Sequence, residues 1–451
     1  MTRIGLLGGL ALALFSASAI APAHKLSTSD GPALASRMVL TPPAAKTFSE
    51  HAVQFRASVF DAARPARIRW SVVGAGRIGP DGLYRAARSG GAQVIAAADG
   101  VARAADIALS AVPPPDRPLL LVSCYDGGTI DVLDAASLNQ AGEFSIGAVA
   151  SGIAVNPRRR AALVAAGDRV VAIDLRSMDW QASAPLPRAR YSEVAALAGG
   201  YFAVTDNNAS AGNTGVRFFS IGAAGRPLPA GGAAAGETPE GIAADSNGRR
   251  FYVSNINSST VMAFGFDGRG HARRIATALT GARPFGLTKA EARETLFVAD
   301  NDTPTVSGSR ARPGLEAFAL PSLRRIGAVR RTGSRDALPL GLAVDERSGR
   351  IFVTNEGDGT VAVFSLHGPN LIATLRSGGL PWLPAIDARH HRLYVPNAGD
   401  DAVQEFDTVS LRHVASAQPT CGYPTALTLV QASPPVGPNP RHAHAGALGA
   451  K

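Results

Sequence analysis

The segment PLGLAVDERSGRIFVTNEGDGTVAVFSLHGPNLIATL, residues 339–375, contains four short apolar runs separated by polar turns. The first run is PLGLAVD, the second and third flank the turn in IFVTNEGDGTVAVFSL, and the fourth is LIATL. Apolar runs of this length, bounded by glycine, asparagine and aspartate, are typical of strands joined by tight turns. The segment therefore predicts one antiparallel unit of four strands.

The same arrangement recurs along the chain. Copies of the central strand–turn–strand phrase begin at Leu120, Ala162, Tyr201, Phe251, Leu296, Ile351 and Leu393. Their starts lie roughly 40 to 55 residues apart, which is the spacing of four-stranded propeller blades. We therefore expect an all-β fold whose main body, residues 118–430, is a seven-bladed β-propeller.

The first copy lacks the apolar phrase that precedes most of the others. A matching phrase, PTALTLV, stands instead at residues 424–430. We expect this C-terminal strand to complete blade one, because that arrangement closes the ring and leaves no open sheet edge.

The N-terminal region divides into four parts. Arg3 followed by the apolar run IGLLGGLALALF and small residues predicts a cleaved signal peptide, residues 1–23. A linker is expected at 24–37, a β-sandwich at 38–112 and a proline-rich linker at 113–117. Residues 431–451 are expected to form a flexible tail. These features predict a periplasmic or secreted protein with no transmembrane segment in the mature chain.

Two stretches resemble known families. Tyr252-Val253-Ser254-Asn255, Phe352-Val353-Thr354-Asn355 and Tyr394-Val395-Pro396-Asn397 resemble the signature of the YVTN-family β-propellers. VQFRASV, IRWSVVGAGRIGPDGLY and VIAAADG, with Trp70 expected to be buried, resemble the bacterial immunoglobulin-like (Big) domains. The first resemblance implies a propeller but no activity, and the second implies a spacer or adhesion module.

Cys124 and Cys421 are the cysteines of the chain. The blade arrangement places Cys124 at the end of a strand and Cys421 just before the strand that pairs with it. We expect a disulfide that fastens the ring closure, which an oxidising compartment permits. Two buried free thiols are the alternative.

The formal charge is +10, and almost all of the positive charge is arginine. The arginines are scattered, and no long basic run is interleaved with aromatic residues, so we expect no nucleic-acid partner. The motifs of serine hydrolases, zinc proteases, phosphate-binding loops and covalent haem are absent from the sequence.

Candidate site residues come from the alignment of the repeats. The residue at the start of each first strand is expected to face the mouth of the central channel, where ligands usually bind. This predicts Glu240, Phe285 and Trp382 as ligand-binding residues. The repeated turns add Asp206, Asp300 and Asn355, which with Glu240 offer oxygen ligands suited to a cation such as calcium. No other cofactor is expected.

Three functions remain open from the sequence. The first is a non-catalytic binding or scaffold protein, expected to be a monomer, with a macromolecular or carbohydrate partner. The second is a propeller lactonase-type hydrolase, metal-dependent or not, with its site at the channel mouth. The third is an accessory subunit of an exported redox system, which no residue pattern supports directly.

Overall fold

The computed structural model describes residues 37–60, 66–98, 100–186, 188–208, 215–281, 283–301, 313–418 and 421–432. These residues form strands almost throughout, with short 3-10 turns at Ala198–Gly200 and Ala398–Asp400. The expected all-β class is confirmed. The expected signal peptide and nearly all of the first linker and the tail lie outside the described residues.

The N-terminal part, ending at Ser110, contains nine strands in three sheets, ordered β2-β9-β8-β5, β3-β7-β6 and β1-β4, with β2 and β9 parallel. The strands are β1 (Arg37–Thr41), β2 (Ala44–Phe48), β3 (Ala52–Gln54), β4 (Arg56–Phe60), β5 (Arg69–Gly74), β6 (Arg77–Ile78), β7 (Leu83–Arg85), β8 (Gly90–Ala98) and β9 (Val101–Ser110). Alternate residues of β8 are buried, and they pack with Phe55 and Tyr84 in one apolar core. Trp70 is half-buried at its edge.

Seven four-stranded antiparallel sheets follow, one for each predicted repeat. The first three blades contain β10 (Leu119–Cys124), β11 (Thr129–Asp134), β12 (Gln140–Ser145); β13 (Ile153–Asn156), β14 (Ala161–Ala166), β15 (Arg169–Asp174), β16 (Trp180–Ala182); and β17 (Tyr191–Ala196), β18 (Phe202–Asp206), β19 (Val216–Ile221), β20 (Pro227–Ala233). Their second strands are buried along their whole length, as expected of strands covered on both faces.

The remaining blades have the same order. They contain β21 (Pro239–Ala244), β22 (Arg250–Asn255), β23 (Thr260–Phe266), β24 (Ala272–Leu279); β25 (Pro284–Ala290), β26 (Thr295–Asp300), β27 (Gly314–Ala319), β28 (Arg324–Arg325); β29 (Pro339–Asp345), β30 (Arg350–Asn355), β31 (Thr360–Ser365), β32 (Leu371–Arg376); and β33 (Ala385–Asp387), β34 (Arg392–Asn397), β35 (Ala402–Asp407), β36 (His413–Ala417), with β37 (Pro424–Val430) returning to blade one.

The C-terminal strand closes the ring. β37 pairs antiparallel with β10 from Leu119 opposite Val430 to Cys124 opposite Pro424. The innermost strands then contact one another in turn, from β37 through β13, β17, β21, β25, β29 and β33 back to β37. The predicted seven-bladed propeller and its closing strand are confirmed.

The expected disulfide is also present. Cys124 and Cys421 are bonded, with their Cα atoms 5.7 Å apart and 297 residues between them in the sequence. The bond ties the end of β10 to the segment that leads into β37. It therefore fastens the one junction of the ring that joins the two ends of the propeller sequence.

A buried hydroxyl in the second strand links neighbouring blades. Thr354 Oγ1 accepts a hydrogen bond from Gly341 N (2.8 Å) in its own blade and donates one to Trp382 O (2.8 Å) in the next. The repeated serine or threonine of the signature thus satisfies an amide and a carbonyl where two inner strands meet. Equivalent bridges are made by Ser254, between Gly241 N and Phe285 O, and by Thr205, between Glu193 N and Glu240 O.

The N-terminal part rests against blade one. Phe48 is fully buried, and its ring centroid lies 6.0 Å from that of Phe144. Gly142 makes this contact possible, since a Cβ there would lie 2.4 Å from the Phe48 ring. Lys46 Nζ forms an ion pair with Glu143 (2.7 Å) at the edge of the contact. The two parts therefore share an apolar core in addition to their covalent connection.

Within the described ranges, no helix has the length and apolar character needed to cross a bilayer.

Candidate functional site

The innermost strands converge on a cavity of about 150 Å³ in the central channel. Most of its lining residues have apolar side chains, and Glu193 contributes a carboxyl group. Four blades carry glycine where the ring is narrowest. A Cβ at these positions would lie within 2.2 to 2.6 Å of a carbonyl oxygen of the next blade. The four glycines are Gly152, Gly241, Gly286 and Gly341. Blade three has Glu193 at the aligned position.

The mouth is the end of the channel at which first strands begin and second strands end. One side of it is polar. Glu240 is 9% exposed and accepts hydrogen bonds from Ser192 Oγ and from Asn207 Nδ2, the latter at 3.0 Å. Ser192 begins the neighbouring first strand, and Asn207 follows β18 directly. The carboxylate is therefore oriented by two donors from blade three.

Glu193, which is half-buried, and Glu240, which is buried, interact electrostatically but have unequal surroundings. Burial raises the pKa of Glu240, but the hydrogen bonds from Ser192 and Asn207 oppose that shift. Burial, and then the charge of Glu240, raise the pKa of Glu193 well above its ordinary value. The pKa values of both carboxyls are therefore raised, and Glu240 is the one whose anion is favoured by two hydrogen-bond donors.

The other side of the mouth is aromatic. The Phe285 and Trp382 rings lie 6.3 Å apart, Trp382 and Tyr423 lie 6.0 Å apart, and Tyr423 and Tyr125 lie 6.0 Å apart. The four rings form a continuous arc from blade five to blade one, crossing at angles of 59° to 84°. Phe285 is buried at the inner end of the arc, and Tyr125 is 37% exposed at its outer end.

Glu356 lies against this arc. Burial raises the pKa of its carboxyl to about 6, and contact with the Trp382 indole opposes the shift. Trp382 Nε1 is itself buried and makes no hydrogen bond of normal geometry among the described residues. Glu356 follows β30 as Asn207 follows β18, so the two residues occupy equivalent positions in blades six and three.

The other three predicted ligand residues interact with nearby residues of the blades and turns. Asp206 is buried and pairs with Arg217 Nε at 3.2 Å, and it also accepts a hydrogen bond from Arg190 N. Asp300 is buried beside Glu316, which together with burial raises its pKa well above the ordinary value. Asn355 Nδ2 donates to Thr332 O and Thr360 Oγ1, both at 3.1 Å, as expected for a turn residue.

The carboxylate oxygens of the predicted calcium ligands do not come together around one point. Among the described residues, Asp206, Glu240 and Asp300 do not form a group with oxygens within 4.8 Å of one another. The group that meets this distance contains Cys124, Cys421 and Asp131, and its sulfurs are joined in the disulfide. Burial and then the charge of Glu143 raise the pKa of Asp131 to about 7, while Lys46 opposes them.

The structure brings Glu240, Phe285 and Trp382 to the mouth, where the alignment of first strands places them. The sequence interpretation missed Glu193, because blade three lacks the Pro-x-Gly phrase that identified most first strands. It also missed the residue that follows each second strand. The members of this series whose contacts are described above lie at the same mouth. In blade order, the series comprises Tyr125, Gly167, Asn207, Ile256, Asn301, Glu356 and Ala398.

No family model and no curated protein matches the sequence. Several solved structures resemble its fold. A candidate 6-phosphogluconolactonase from Bacteroides fragilis is 12% identical, with 70% of this chain and 98% of that chain covered and a TM-score of 0.56. A second from Bacteroides uniformis is 13% identical, with 70% and 100% covered and a TM-score of 0.54. A protein from Lactobacillus plantarum is 14% identical, with 70% and 99% covered and a TM-score of 0.56. At these identities the likeness shows a propeller fold and leaves the activity to be argued from the site.

Proposed function

We propose that this chain is an exported, non-catalytic binding protein that holds a small ligand at the mouth of its propeller channel. The observation that carries the proposal is the division of the mouth into an aromatic arc and an oriented carboxylate. Such a combination of flat apolar surfaces with a few fixed polar groups is typical of small-molecule sites.

The dimensions of the channel favour binding at the mouth over chemistry inside. A cavity of about 150 Å³ is smaller than the pockets of roughly 300 to 1,000 Å³ that enclose most small ligands. Glycine and carbonyl contacts close the ring at this level, so the cavity has little room to expand. The ligand therefore rests on the mouth, with the arc as its main contact surface.

The remaining parts of the proposal concern location and assembly. The disulfide is compatible with an oxidising compartment, and we assign the protein to the periplasm or the exterior. The N-terminal sandwich, as an immunoglobulin-like module, serves as the spacer, and a macromolecular or carbohydrate partner supplies the ligand to a monomeric propeller. A closed ring has no sheet edge that requires a partner chain.

A thermal-unfolding screen tests the proposal. The mature protein is heated with sugars, sugar lactones, organic cations and divalent cations. A ligand at about a hundred times its dissociation constant adds roughly 2.7 kcal/mol of stability. We expect at least one class to raise the melting temperature of the wild type and of Glu50→Gln, an exposed substitution in the N-terminal part, but not of Trp382→Ala. Equal shifts in Trp382→Ala would place the site elsewhere.

A lactone hydrolase is the second candidate, favoured by the carboxyl pair. Glu240 accepts two hydrogen bonds that favour its anion, and the pKa of Glu193 is raised well above its ordinary value, so the pair offers one candidate base and one candidate acid. Ring opening of a lactone adds one water across the acyl–oxygen bond. Purified protein that releases acid from gluconolactone faster than buffer, and loses this in Glu240→Gln, would support catalysis. Retention of the rate after chelation would exclude a metal requirement, and a buffer rate throughout would exclude the hydrolase.

A further inference from the structure

The aromatic arc contains two corners suited to a cationic group. Trp382 and Tyr423 meet at 71°, and Tyr423 and Tyr125 meet at 59°, each pair with ring centroids 6.0 Å apart. Rings that cross at such angles do not stack, so each keeps at least one face that its partner does not cover. The face of an aromatic ring carries negative potential, and a cation within about 6 Å of its centroid is attracted to it.

Acidic groups surround these corners. Burial, and then the charges of Glu356 and Asp126, raise the pKa of the Tyr423 hydroxyl. Asp401 Oδ1 accepts a hydrogen bond from Tyr423 N at 2.8 Å, which holds the loop before β37 in place. Among the described residues, the charged groups that shift the pKa of Tyr423 are carboxylates. A locally negative aromatic surface thus exists on a chain whose net charge is +10.

Glu356 has the position of a counter-ion. Its side chain is half-buried beside the Trp382 indole, and its pKa of about 6 leaves it mostly ionised at neutral pH. A partly buried carboxylate gains from a cationic partner, because burial removes part of its hydration. Among the described residues, the ion pairs of the propeller do not include Glu356.

We propose that this corner, formed by Tyr125, Trp382, Tyr423 and Glu356, binds an organic cation, either a quaternary ammonium group or a protonated amine. The cationic head lies against the faces of Trp382 and Tyr423, with Glu356 as its counter-ion. The inference rests on the proposed binding function of the mouth and specifies its ligand class. A neutral sugar would gain the stacking contacts but not the charge complementarity.

Choline and its uncharged isostere 3,3-dimethyl-1-butanol provide a matched pair of probes. Their binding to the mature, oxidised protein is measured by calorimetry and by intrinsic tryptophan fluorescence, with Glu50→Gln as the control protein. We expect choline to bind at least tenfold more tightly than the isostere. We expect Glu356→Gln to remove most of this difference and Tyr125→Leu, an exposed substitution, to weaken choline binding by several fold.

The outcomes separate this inference from the function on which it rests. Equal binding of choline and the isostere would overturn the cationic ligand while leaving an aromatic site at the mouth. Absence of choline binding, with a neutral sugar or lactone that binds in a manner sensitive to Trp382→Phe, would likewise overturn the inference alone. Absence of binding by every probe class would overturn both. Unfolding curves recorded for each variant show whether a loss of binding reflects a loss of folding.

Discussion

The bridge between blades six and seven allows a quantitative test of how the signature sequence stabilises the ring. Thr354→Val keeps the shape of the side chain and removes the hydroxyl. The amide of Gly341 then lacks its acceptor at a buried position, and the carbonyl of Trp382 lacks its donor at a partly buried one. Leaving a buried polar group unsatisfied costs about 1–3 kcal/mol. The two groups together predict a loss of up to roughly 2–6 kcal/mol in the free energy of unfolding.

Urea unfolding followed by circular dichroism measures this loss. Thr374→Val is the control, because Thr374 is exposed on the outermost strand of the same blade and makes no recorded side-chain hydrogen bond. The control is expected to change the free energy of unfolding by no more than about 0.5 kcal/mol. If Thr354→Val destabilises the protein no more than Thr374→Val does, the hydroxyl bridge is not what holds the inner strands together.

Three further predictions concern stability. Replacing Cys124 and Cys421 with alanine should reduce stability by roughly 6 kcal/mol, from the chain-entropy estimate for so long a loop, and an unchanged urea midpoint would contradict the closure role. Asp131 retains a proton in the folded state that the unfolded state releases, so the free energy of unfolding falls by about 4 kcal/mol as pH rises from about 4 to 7. Asp131→Asn should flatten this pH dependence in unfolding curves at pH 5 and pH 8. An unaltered pH dependence would show that Asp131 is not the group responsible. Phe48→Ala should cost about 3–5 kcal/mol and expose the 113–117 linker to proteases, whereas an unchanged digestion pattern would show that the two parts are held by other contacts.

The propeller ring could be predicted from the sequence because the same pattern occurs in every blade. Each blade has the same alternation of buried strands and turn residues, so an irregular copy can be interpreted from the regular ones. The position of the closing strand followed from a missing phrase at one end and a surplus phrase at the other. The order of the strands in the ring could therefore be predicted without knowing which side chains are in contact.

The candidate site was only partly accessible, because its chemistry lies where the repeat is broken. Glu193 occupies a position that is glycine in four blades, and a search for the repeated phrase passes over it. Asp206, Asp300 and Asn355 share one repeated position, which holds Asp or Asn in blades three to seven. In these three residues the side chain bonds to nearby turn segments, and the repeat alone could not tell this role from that of a ligand.

The contact between the N-terminal part and blade one was not accessible from the sequence at all. Phe48 and Gly142 fit together because one lacks a side chain where the other has a ring. Neither residue belongs to a periodic pattern that would link them, and nearly a hundred residues separate them in the chain. Complementary shapes of this kind are properties of the packed structure.

Ring closure by the last strand has a consequence for how the chain folds. Blades two to seven are each built from consecutive strands, so they can form from local contacts while synthesis continues. Blade one must wait for β37, and until it arrives the edge of β10 is open to pairing with any extended chain. Ring closure and the period of greatest risk of aggregation therefore coincide at the end of synthesis. A chain truncated before Pro424 would fold six blades and remain able to exchange strands with its neighbours.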